Sequence, residues 1–99
     1  LHDLKDLNMK IKYEFHDGIE TRQDEFESDG MDLPAQIIMH AAENHFPVFI
    51  SAGVRGAPRP NPLMVSAKLL KSSGVKSIDY WVDGIPAAKP ILVEGFEKI

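Results

Sequence analysis

The chain has 99 residues, 43% apolar and 26% charged, the composition of one ordinary globular domain and not of a disordered chain. It has no cysteine, which excludes disulfides, thiolate chemistry and Cys-ligated zinc and fits a reducing cytoplasm. A formal net charge of −4 argues against general nucleic-acid binding.

The charge is unevenly placed. Residues 1–50 hold four Lys/Arg against eleven Asp/Glu, a balance of −7; residues 51–99 hold seven against four, a balance of +3. No apolar run approaches the ~18 residues that would cross a membrane. Asp3, Lys5 and Asp6 interrupt any signal-peptide pattern. Residues 1–8 read as either an appended tail or the edge of a longer chain. Residues 9–99 read as a single globular domain.

Met9 to His16 alternates. Met9, Ile11, Tyr13 and Phe15 point one way; Lys10, Lys12, Glu14 and His16 point the other. This predicts a strand with one buried and one wet face. Asp17-Gly18 then marks a hairpin. A three-residue loop, His16-Asp17-Gly18, would pair Phe15 with Ile19 and Tyr13 with Thr21. It keeps the charges of strand two off the apolar face, so it is the expected register. Strand two is expected from Ile19 to Asp24, as a charged edge.

Residues 24–32 read as a solvated acidic loop. An EF-hand alignment on Asp29-Gly30 puts Glu25 first and Gln36 twelfth, which lacks the required ligands. Asp32 is expected to cap a helix from Leu33 to about Asn44, with Pro34 in its first turn. Leu33, Ile37, Ile38, Ala41 and Ala42 would form its core stripe, and Pro47 would end it. Val48-Phe49-Ile50 reads as a buried central strand.

Asn61-Pro62 is a helix start: a cap, then proline at the first helical position. The helix should run from Pro62 to about Lys71 and stop at Gly74. Its apolar residues, Met64 among them, are too many for one narrow face. Ser77 to Val82 alternates again, with Ile78, Tyr80 and Val82 opposite Asp79 and Trp81. Asp83-Gly84 turns the chain, Pro86 and Pro90 forbid an interior strand between them, and Ile91-Leu92-Val93 is a last strand. The expected fold class is α+β: a mixed sheet of about five strands with two helices on one face, in the order ββαβαββ. The strand–helix–strand unit after residue 48 would be a right-handed crossover if its strands are parallel.

Two sites follow from the pattern. The first is the strand-to-helix loop 51–62. Helix starts leave N–H groups that anions satisfy. Arg55 and Arg59 would add planar donors, and Gly53 and Gly56 would allow close backbone approach. With Ser51 and Asn61, these residues form a candidate small-anion site. The loop is neither a P-loop nor a dinucleotide fingerprint. Its G-x-x-G lacks the flanking helices of a KH domain. The second is an interface at Trp81, Asp79 and Met64, since an exposed Trp is a common anchor.

Catalysis has little support. No serine sits in a nucleophile elbow. His40 and Glu43 could share a metal, but His45 lies about 140° round the helix from His40, and polar-face positions account for all three. No cofactor or metal is expected. The leading expectation is a small non-catalytic binding or regulatory module, acting through protein–protein contacts or self-association, a homodimer included. The alternative is a small-anion or nucleotide-phosphate binder, open to catalysis, using loop 51–62. Acidic mimicry of nucleic acid by residues 20–32 ranks third.

Overall fold

The computed structural model describes residues 8–47 and 61–96. The chain is α+β. Strands β1 (Met9–His16) and β2 (Thr21–Ser28) precede helices α1 (Leu33–His45) and α2 (Pro62–Ser72). Strands β3 (Ser77–Val82), β4 (Ile85–Pro86) and β5 (Ile91–Leu92) follow, and a 3-10 turn, Val93–Phe96, ends the described chain. The five-stranded sheet has the order β2-β1-β3-β4, with β5 also on β3. Every pairing among the described strands is antiparallel. The expected strand at Val48-Phe49-Ile50, whose parallel pairing would make the sheet mixed, lies outside the described residues.

The alternation in β1 works as expected. Ile11, Tyr13 and Phe15 are buried, whereas Lys10, Lys12 and His16 are exposed. β3 lies beside β1, with Tyr13 opposite Tyr80 and Phe15 opposite Ile78. Onto this face pack Ile37, Ile38, Ala41 and Ala42 of α1 and Ala67 and Leu70 of α2. The three alanines let the two helices approach each other. Burying each large aliphatic side chain here contributes about 1.5–3 kcal/mol. Both helices therefore occupy the same side of the sheet.

The hairpin register differs from expectation. Phe15 pairs with Arg22, Tyr13 with Asp24 and Ile11 with Phe26, so the loop has four residues, 17–20, not three. Strand β2 begins later and ends later than Ile19–Asp24, taking in residues assigned to the acidic loop. Arg22 and Asp24 thus lie on the helix-covered face. That is tolerated because each finds a partner there. Asp17 shapes the loop: its Oδ1 accepts the N–H groups of Ile19 at 2.9 Å and Glu20 at 2.8 Å.

Asp32 does not cap α1 as expected. It stands at the cap position in the left-handed conformation, φ 50°, and its side chain makes no capping bond. Gln36 holds this corner instead: its amide donates to Asp29 Oδ1 and the Met31 carbonyl, while its oxygen accepts from Ser28 Oγ. By contrast, α2 starts and stops as its sequence reads. Asn61 Oδ1 accepts from the N–H groups of Leu63 (2.9 Å) and Met64 (3.4 Å). At the other end Gly74, φ +96°, is followed by Val75, whose N–H reaches back to the Leu70 carbonyl at 2.9 Å. With Gly74 N–H on Lys71 O, this is a Schellman cap, its apolar pair being Leu70 and Val75.

The Asp83-Gly84 turn also holds. Both residues have positive φ, 49° and 84°, as a type I′ turn requires. Pro86 sits on the edge strand β4, where its missing N–H is not needed. The last strand is shorter than expected, and Val93 begins the 3-10 turn. Among the described residues no helix is long and apolar enough to cross a membrane.

Candidate functional site

Of the expected anion-binding residues, Ser51, Gly53, Arg55, Gly56 and Arg59 lie outside the described residues. Asn61 does begin α2, and its side chain occupies two of the N–H groups at the helix start. Those donors are already satisfied.

The expected interface residues divide. Met64 is on α2, on the helix side of the sheet, and it is not part of the core cluster. Trp81 and Asp79 point to the opposite face, as the alternation in β3 dictates. Neither described helix lies on that face. Cross-strand pairing arranges the side chains there in rows. Trp81 pairs with Lys12, Lys12 with Glu25, and Trp81 again with Pro86. The next row is Gln23, Glu14 and Asp79. On the other side lies the Glu27–Lys10 pair.

Lys12 and Lys10 are engaged on this face. Lys12 Nζ lies 5.5 Å from the centre of the Trp81 ring, a cation–π contact. Lys10 Nζ lies 3.3 Å from Glu25 Oε1. Both groups of that ion pair are more than half exposed, so the pair adds little to stability. Glu14 and Asp79 stand directly across from each other, and among the described residues neither side chain has an ion pair or hydrogen bond. Like charges in this position destabilise a sheet. Glu14 and Asp79 line a shallow cleft together with Lys76, Ser77 and His16.

A second cluster lies under α1, where the sequence reading placed only polar surface. Tyr13 is fully buried, and its hydroxyl is 2.7 Å from His40 Nδ1. Burial, and secondarily the charge of Asp24, pushes the phenol pKa up, so it keeps its proton and donates it. Burial lowers the pKa of His40, favouring the neutral ring that accepts. The His40 ring also stacks on Phe26, 4.5 Å between centroids. His45 closes the other side of Tyr13 edge-on, at 6.2 Å. Its Nε2 is buried 3.3 Å from Asp24 Oδ2, without the alignment of a hydrogen bond. Both histidines thus face the sheet, although they are about 140° apart on an ideal helix. His45 is the last helical residue, and from that end its ring reaches the sheet.

Arg22 completes this cluster. Its Nε donates to Asp17 Oδ2 at 2.8 Å, its Nη1 to the His45 carbonyl at 3.3 Å, and its guanidinium covers Phe46 at 4.8 Å. The N–H groups of Glu20 and Ile19, then Arg22, hold the Asp17 carboxyl down to a pKa of about 2. These contacts tie the hairpin to α1. Sequence alone could have offered one signal, the charges that the true register places on the inner face. Among the described residues no three His, Asp or Glu groups are placed to hold a metal ion.

Comparison of the chain with known protein families, with curated proteins and with solved structures finds no match.

Proposed function

We propose that the chain is a small, non-catalytic cytoplasmic binding module that works through protein–protein contact, with a partner or with its own copy. The contact surface in this reading is the sheet face around Trp81. One observation carries it: both described helices pack on the Tyr13 face, leaving the only tryptophan in the middle of the other. A large aromatic ring flanked by charged groups has the make-up of an interface anchor with a polar rim. The His40–Tyr13 pair, the other cluster of titratable groups, is spent on holding helix to sheet.

A photo-crosslinking residue placed in turn at Lys12, Asp79, Glu43 and Lys68 tests this in cells. The last two are exposed positions on the helices. Protein adducts are expected from positions 12 and 79 and not from 43 and 68. Adducts from the helix positions alone, or from none of the four, remove the reading.

A further inference from the structure

We draw no further inference here: the strongest candidate, the apolar groove between the end of α2 and the 3-10 turn, lined by Val75, Leu92 and Gly95 among others, is open to the surface, and nothing in the structure shows what covers it.

Discussion

Gly74 lies against Asp17 so closely that a Cβ on residue 74 would stand 2.4 Å from the Asp17 carbonyl oxygen. The cap of α2 and the tip of the β1–β2 hairpin therefore touch backbone to backbone. Two requirements meet at this glycine, a positive φ and a missing side chain.

Gly74→Ala should cost more than left-handed strain alone, which is about 1–2 kcal/mol for one residue. Neither backbone at the contact can rotate away as a flexible side chain would. A loss of about 2 kcal/mol or more is expected from urea unfolding at unchanged m. Gly18→Ala is the control: its φ is also positive, +92°, but nothing lies within 4 Å of the added atom. It should cost only the strain. Equal losses at the two positions would contradict the backbone contact.

Tyr13→Phe should lose about 1 kcal/mol, the net worth of one hydrogen bond, and leave His40 Nδ1 without its donor. The pairing also predicts a pH effect. Burial holds the folded-state pKa of His40 below its ordinary value of 6.5. Protonation therefore favours the unfolded chain. The stabilisation is full above about pH 6.5 and is lost as pH falls from there through the folded value. Thermal unfolding at pH 7.5 and 5.5 checks this, with His40→Gln expected to show the smaller drop.

Asp17 governs a lower window. Its folded pKa of about 2 lies below the ordinary 3.8, so its contribution is present above about pH 3.8 and is lost as pH falls through 2. Asp17→Asn should flatten the stability curve between pH 4 and 2. Arg22→Met, which keeps the stem over Phe46 but removes the charge, should flatten it less, because the backbone N–H groups are the larger cause. The reverse order, measured by acid titration of the folded signal, would refute the assignment.

Asn61→Ala should destabilise the chain by about 1 kcal/mol, the usual loss for a helix cap, while Asn61→Asp should be close to neutral. Chemical unfolding of the three proteins decides it. No loss in the alanine variant would mean that the start of α2 is held by something other than this side chain.

Local rules reach some of these residues and not others. The alternation of Met9 to His16, the Asp83-Gly84 turn, the Asn61-Pro62 start and the Gly74 stop each depend on neighbours a few residues away. Each was legible for that reason. The side of β3 that carries Trp81 was legible too, since it follows from the period of a strand.

What the amino-acid order determined by itself was the identity of the elements and the face each side chain would share. What only the tertiary structure decided was which charges could be afforded inside and which were left opposite each other. Arg22 and Asp24 turn inward because Asp17, Phe46 and His45 wait there, brought in by a helix that local rules cannot place. Glu14 and Asp79 meet because β1 and β3, distant in sequence, became neighbours. Strand order and register come from packing the whole apolar face at once, and no short window of sequence contains that constraint.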